Sequence, residues 1–236
     1  MNHIFEILKR KLLHLRLSPI RVFCFHQVSD VFEPDTMMKC DWTQIDLFKR
    51  RVMELKRSYT FISLTDATEH LKHDCFRVKK YAVLTADDGW ASLKNVIPWL
   101  AEQDVPVTLF INPAYLDGIH YRKKETERYL SKKDLTLILD NYNNVSIASH
   151  GWNHCDITLL SEMEICNSVG KSLNNLQEYS KFVRFYAYAW GKHNDKCDKI
   201  LSDYSLIPVL MDGMKNYKGT HYIHRELLMS GTKNEF

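Results

Sequence analysis

Residues 81 to 90 read Tyr81-Ala-Val-Leu-Thr-Ala-Asp87-Asp88-Gly89-Trp90, an apolar run that passes straight into two adjacent carboxylates and a glycine turn. A run of this kind suits a buried strand. Six further runs share its character: Arg21 to Phe25, Phe61 to Leu64, Val107 to Ile111, Val145 to Ser149, Phe185 to Ala189 and Leu206 to Leu210. Between them, helical periodicity covers Trp42 to Leu55, Ser92 to Gln103, Ser131 to Leu139, Glu162 to Tyr179 and Asp195 to Leu201. This alternation predicts an α/β protein whose parallel sheet is either open or closed into a barrel, with sites at the carboxyl ends of the strands. Seven strands suit a barrel, but periodicity alone leaves closure open. Glycine is scarce, at 8 residues, and Gly89, Gly151 and Gly191 each fall just after a predicted strand. Glycine admits close approaches that a side chain blocks, so chemistry is sought at these strand ends.

Of the 236 residues, 45% are apolar and 26% charged, enough for a sizeable core and unlike a disordered, collagenous or coiled-coil chain. The net charge of +3 is dispersed, so no phosphate-tracking surface forms and nucleic acid is not an expected partner. Cys24, Cys40, Cys75, Cys155, Cys166 and Cys197 contain no CxxC pair, which signals neither a zinc ribbon nor a disulfide framework and fits a reducing compartment. Residues 1–19 read as a basic amphipathic segment and residues 20–236 as a single domain. In the first part Phe5, Leu8, Leu12 and Leu15 make an apolar stripe beside Lys9, Arg10, Lys11 and Arg16. Such a helix either packs on its own domain or gives residues 1–17 peripheral contact with an anionic membrane surface. The charges interrupt every apolar run, so no signal-peptide core or membrane span can be drawn, and a cytoplasmic location, at most against the inner membrane surface, is expected. One mixed-charge excursion, Asp117 to Lys133, carries Arg122-Lys123-Lys124, suited to a solvated loop or to a phosphate-bearing substrate.

Two constellations carry chemistry. In the first, the bend at Gly89 lets Asp87 and Asp88 converge at the strand end, where two negative charges repel unless a cation or proton intervenes. A solvated Asp-Gly turn is the alternative. The second is Ser149-His150-Gly151-Trp152-Asn153-His154, again closing an apolar run. Imidazoles four residues apart meet on one face of a helical turn, and two of them with one carboxylate complete a three-ligand site that leaves a position open for water.

The order and context of Thr85-Ala86-Asp87-Asp88-Gly89 and Ser149-His150-Gly151-Trp152-Asn153-His154 resemble the polysaccharide deacetylase family, carbohydrate esterase family 4, also called NodB-like. Phe23-Cys24-Phe25-His26-Gln27-Val28 is similar to the first strand of its permuted-type members. Tyr59 to Leu64 is similar to its second strand, and Tyr186-Ala187-Tyr188-Ala189-Trp190-Gly191 to its Phe-Ala-Tyr-Pro-Tyr-Gly loop. The resemblance implies a distorted (β/α)7 barrel that uses a divalent metal to hydrolyse N-acetyl groups on amino sugars of a polysaccharide or its lipid- or nucleotide-linked precursor, in cell-envelope polysaccharide synthesis. Carried over by position, Asp88, His150 and His154 bind the metal and Asp87 is the general base. Zinc suits such donors best, with nickel and cobalt as alternatives.

The same resemblance makes His26 the candidate general acid, against the reading of a core histidine, and His224 the reserve. Cys24 shares the strand face of His26, so its burial towards the mouth would argue that His26 points there too. A backbone N–H between Tyr188 and Gly191 is the candidate oxyanion donor. Tyr188, Trp190 and Trp152 are the candidate substrate contacts. Three positions depart from the family pattern: Ala86 replaces Phe, Ala189 replaces Pro and Trp190 replaces Tyr. The loop arginine that orients the base in relatives is absent, its place taken by Ala187. Arg184 is nearby in sequence as a substitute, and Arg225 is similar to the Pro-Arg position of permuted-type members and reads as structural. Two other functions remain: a hydrolase of small cyclic amides on the same barrel, and a degenerate carbohydrate-binding domain without catalysis.

Overall fold

The computed structural model describes residues 19–32, 42–73, 79–116 and 129–229. The amphipathic segment 1–17, the basic triplet at 122–124, and Cys40 and Cys75 lie outside them. The strands in chain order are β1 (Arg21–Phe25), β2 (Gln27–Val28), β3 (Trp42–Thr43), β4 (Thr60–Phe61), β5 (Tyr81–Ala86), β6 (Val107–Ile111), β7 (Val145–Ser149), β8 (Phe182–Ala187), β9 (Ile207–Met211) and β10 (Ile223–Leu227). The helices are α1 (Ile45–Lys56), α2 (Leu64–His73), α3 (Ile97–Glu102), α4 (Pro113–Leu116), α5 (Lys132–Asn141), α6 (Glu162–Leu176) and α7 (Asp195–Asp203).

Closure comes from β1. It pairs in parallel with β5, Phe23 opposite Leu84, and with β10, Phe23 opposite Glu226, which turns the row from β5 to β10 into a seven-stranded parallel ring. The ring with its surrounding helices is the expected (β/α)7 barrel. Seven strands match the expectation, but their membership differs. Phe61 ends the short β4, which pairs with the foot of β5, and Leu64 already begins α2. The missing ring member is β10, whose Ile-His-Arg-Glu-Leu sequence shows no apolar run.

The alternation of side chains along each strand sorts the core into two shells. Val22, Val83, Phe110, Ala148, Phe185, Val209 and Ile223 face one another inside the ring, and Leu64, Ala67 and Leu71 of α2 pack against them. Their chain neighbours Phe23, Leu84, Leu109 and Ile147 face outward and pack with residues of α1, α3 and α5. Tyr186, Tyr188 and Leu210 do the same against α6 and α7.

Local chemistry sets the helix limits. Ser131 with Asp134, and Ser161 with Glu164, form reciprocal capping boxes that satisfy the free amides at the starts of α5 and α6. The run expected as one helix from Ser92 is split into a 3-10 turn, Ala91–Asn95, and α3. Pro98, which has no amide hydrogen, sits in the first turn of α3, where none is needed. Trp42 and Thr43 pair with Gln27 and Val28, so α1 begins only at Ile45.

Candidate active site

Left to strand alternation, Asp87 and Asp88 would point to opposite faces. The backbone prevents this: Asp88 (φ 70°) and Gly89 (φ 74°) both adopt left-handed conformations, so the chain turns sharply at the mouth of the ring. The Asp87 amide donates to the Phe25 carbonyl (3.1 Å), fixing the turn to β1. The Trp90 indole N–H donates to Asp88 Oδ2 (2.9 Å), which leaves Oδ1 to face the two imidazoles.

Those imidazoles come from the end of β7. His150 Nδ1 lies 2.8 Å from the Ala187 carbonyl, so that nitrogen carries the hydrogen and Nε2 presents its lone pair. Both His150 Nε2 and His154 Nε2 are 3.3 Å from Asp88 Oδ1. His154 gets there through another left-handed residue (φ 56°). Gly151 is also left-handed (φ 81°), and a Cβ there would sit 2.8 Å from the Tyr186 hydroxyl. Asn112, fully buried, clamps this turn by donating its amide to the His150 (2.6 Å) and Gly151 (3.3 Å) carbonyls.

The residues fit a divalent cation. Asp88 Oδ1 is buried and makes no hydrogen bond, although two imidazole nitrogens lie within 3.3 Å of it. An acceptor left so is costly unless a cation takes its lone pairs. The two nitrogens and one oxygen match the donor set of catalytic zinc sites. Burial would push the Asp88 carboxyl up, but the neighbouring imidazoles outweigh it and hold the group well below the usual carboxylate range. Burial, reinforced by the His150 charge, lowers His154 to about 4, so its ring is neutral at neutral pH, as a metal ligand must be. Burial also lowers His150, but the Asp87 and Asp88 charges outweigh it and raise the imidazole above its usual value.

Asp87 stands beside this group and is held differently. Arg225 of β10 donates Nη1 to Oδ1 (2.7 Å) and Nη2 to Oδ2 (2.9 Å). Burial would push the Asp87 carboxyl up, but the Arg225 and His150 charges bring it down to about 2. Nη1 of Arg225 also reaches Thr85 Oγ1 (3.2 Å) and Cys24 Sγ (3.5 Å). Arg225 is 1% exposed, and Phe110 packs under its guanidinium at 5.0 Å. Arg225 thus supplies the arginine that the loop lacks. Arg184 does not: it is exposed and donates to the Tyr204 carbonyl (3.2 Å). Sequence reading matches Arg225 to a Pro-Arg position of permuted-type members but takes it as structural, so this contact with Asp87 is not foreseen.

The other candidates are scattered. His26 comes to the mouth, with a ring nitrogen within 4.8 Å of Cys24 Sγ and an Asp87 oxygen, and Cys24 is fully buried. His224 joins neither donor group. It neighbours Arg225 on β10, so its side chain takes the opposite face, where Nδ1 lies 2.7 Å from Asp212 Oδ2. The Tyr188 hydroxyl donates to Asp198 (2.5 Å) on α7, and burial with that bond raises it far above its usual range. Trp152 is half-buried under Lys171, whose Nζ is 5.0 Å from the ring. Trp190 alone is widely exposed, at 63%. It is left-handed (φ 61°), contacts the His154 ring at 4.9 Å and donates its indole N–H to the His154 carbonyl (3.2 Å).

Several solved structures share this barrel. The chain is similar to the Streptococcus pyogenes deacetylase PplD in complex with acetate (TM-score 0.76, 19% identity, 90% of this chain and 93% of that one). It is also similar to IcaB from Ammonifex degensii (TM-score 0.71, 17% identity, 89% and 91%) and to a de-N-acetylase from Aggregatibacter actinomycetemcomitans (TM-score 0.73, 16% identity, 88% and 94%). No curated protein matches the chain. Residues 77–209 match the sequence pattern of the family described as polysaccharide deacetylase, and the chain belongs to that family.

Proposed function

We propose that the protein is a metal-dependent hydrolase that removes N-acetyl groups from amino sugars of a polysaccharide or its lipid- or nucleotide-linked precursor. The observation that carries this reading is the pairing of two adjacent carboxylates with different tasks: Asp88 opens towards two imidazoles, while Asp87 is clamped by Arg225 outside that group. Asp88, His150 and His154 would hold the cation. When bound, zinc, or nickel or cobalt in its place, supplies Lewis-acid polarisation of the amide carbonyl and acidifies water.

Asp87 acts as general base. Its low pKa keeps it ionised at neutral pH, and the guanidinium fixes the direction of its lone pairs. His26 is the candidate acid for the departing nitrogen, supported by its place beside Asp87, whereas the Asp212 bond of His224 supports no such role. In the loop after β8 the amides of Tyr188 and Gly191 already donate to Val209 and Tyr188 carbonyls, which leaves Ala189 and Trp190 as candidate oxyanion donors. Trp190, rigid, exposed and against His154, is the substrate contact that the geometry favours over Tyr188 and Trp152. The supply of the base-orienting arginine by the last strand supports a permuted-type member. No described helix is long and apolar enough to cross a membrane. A cytoplasmic role in envelope polysaccharide synthesis, with residues 1–17 touching the membrane, belongs to the same proposal.

The test is acetate release from N-acetylglucosamine oligomers by protein stripped with chelator and reloaded with zinc, cobalt or nickel. Metal-dependent release that Asp87→Asn abolishes is expected. Fully loaded protein that releases no acetate from any acetylated amino sugar would overturn the reading.

A further inference from the structure

The mouth holds a second set of donors. Cys24 Sγ, a His26 ring nitrogen and an Asp87 carboxylate oxygen all lie within 4.8 Å of one another. Cys24 and His26 are two residues apart, on the inward side of β1 and its continuation, and Asp87 follows the adjoining strand, where Phe25 stands opposite Ala86. Cys24 and Asp87 are buried and His26 half-buried. The proposed hydrolysis has no use for a thiol, yet one stands against its base.

Thiol, imidazole and carboxylate together select a borderline-soft ion such as zinc or cobalt over magnesium or calcium. Tetrahedral zinc places its donors about 3.3–3.8 Å apart, so closing this set takes a contraction of at most about 1.5 Å between any two donors. The Arg225 clamp does not forbid it. Each Asp87 oxygen accepts one guanidinium hydrogen and keeps a second lone pair, and Cys24 Sγ, 3.5 Å from Arg225 Nη1, likewise keeps lone pairs beyond that contact.

We propose that Cys24, His26 and Asp87 form a second, inhibitory site for a thiophilic divalent cation, zinc foremost. On binding, the thiol proton leaves to solvent, the sulfur–metal bond forms, and the base is taken out of use. The inhibitory consequence rests on the deacetylase reading; the existence of the site does not.

Cobalt titration of chelator-stripped protein separates the two. The Asp88-His150-His154 group has no sulfur, so only the second group can give the intense near-ultraviolet thiolate-to-cobalt band. Two cobalt ions per chain and that band are expected in the parent protein, with one ion and no band in Cys24→Ser. His26→Gln keeps the thiol and should weaken the second equivalent at least about tenfold, which covers a failure of Cys24→Ser to fold. Absence of the band at saturating cobalt, or its survival in Cys24→Ser, overturns the site. In acetate release, excess zinc should inhibit the parent and spare Cys24→Ser, with a midpoint at least about tenfold higher; equal inhibition of both overturns the regulatory claim. If neither protein hydrolyses anything, the deacetylase reading falls while the absorption band still decides the site.

Discussion

Replacing Arg225 by methionine tests how the site is built. The substitution keeps much of the buried volume but strands Asp87, which is 3% exposed and loses both guanidinium bonds. Breaking a buried ion pair by removing one partner costs about 3–5 kcal/mol. A second route bounds that figure, because the stranded carboxyl can take up a proton. At pH 7, protonating a carboxyl of ordinary pKa costs about 4 kcal/mol, so the loss should not much exceed this. For a chain of this size each kcal/mol moves the midpoint by about 2–4 °C, giving an expected fall of roughly 6–16 °C in thermal unfolding at pH 7.

The sign of the pH dependence follows from the Asp87 carboxyl, lowered to about 2 in the folded protein. A depressed carboxylate stabilises above its unfolded pKa, and this is lost as pH falls through the folded value. In Arg225→Met, burial is opposed only by the neighbouring imidazoles, and the group rises from its depressed value towards or above the usual carboxylate range. The gap between parent and variant should therefore narrow as pH falls from 7 towards 4, and the acid limb of the variant's activity profile should move to higher pH. Arg225→Lys keeps a charge but not the two-point clamp and should fall between them. A midpoint within about 2 °C of the parent at pH 7, with an unshifted acid limb, would refute the clamp.

Gly151→Ala should destabilise by roughly 2–3 kcal/mol in urea unfolding, from the left-handed backbone and the contact with the Tyr186 hydroxyl; adding Tyr186→Phe should recover the contact's share and leave about 1–2 kcal/mol. Asp87→Asn should retain metal in equilibrium dialysis while losing turnover, whereas His150→Ala should lose metal affinity by at least about tenfold; loss of metal in Asp87→Asn would make Asp87 a ligand rather than the base. Ser161→Ala removes one half of the capping box of α6 and should cost about 1 kcal/mol by chemical unfolding, with no change in metal binding.

Much of the architecture and the core of the site were determined by the sequence itself. β5, β6 and β7 are continuous apolar runs, and Asp87, Asp88, His150 and His154 follow two of them directly, so a short window shows strand, turn and donors together. Glycine at 89 and 151 marks the turns for the same local reason. The tertiary structure alone decided which residues complete the site. Arg225 and Asp87 are 138 positions apart, and nothing near Arg225 reveals that a carboxylate will meet it inside the ring. β10 reads as a polar segment because its two flanking charges, Arg225 and Glu226, are matched only by Asp87 and Arg21 from other strands. The turn of a strand decides which of two neighbours faces the mouth, and it sent Arg225 inward and His224 out to Asp212. Periodicity is a property of a few consecutive residues. The neutralisation of a buried charge belongs to the pair, and the pair exists only once the ring has closed.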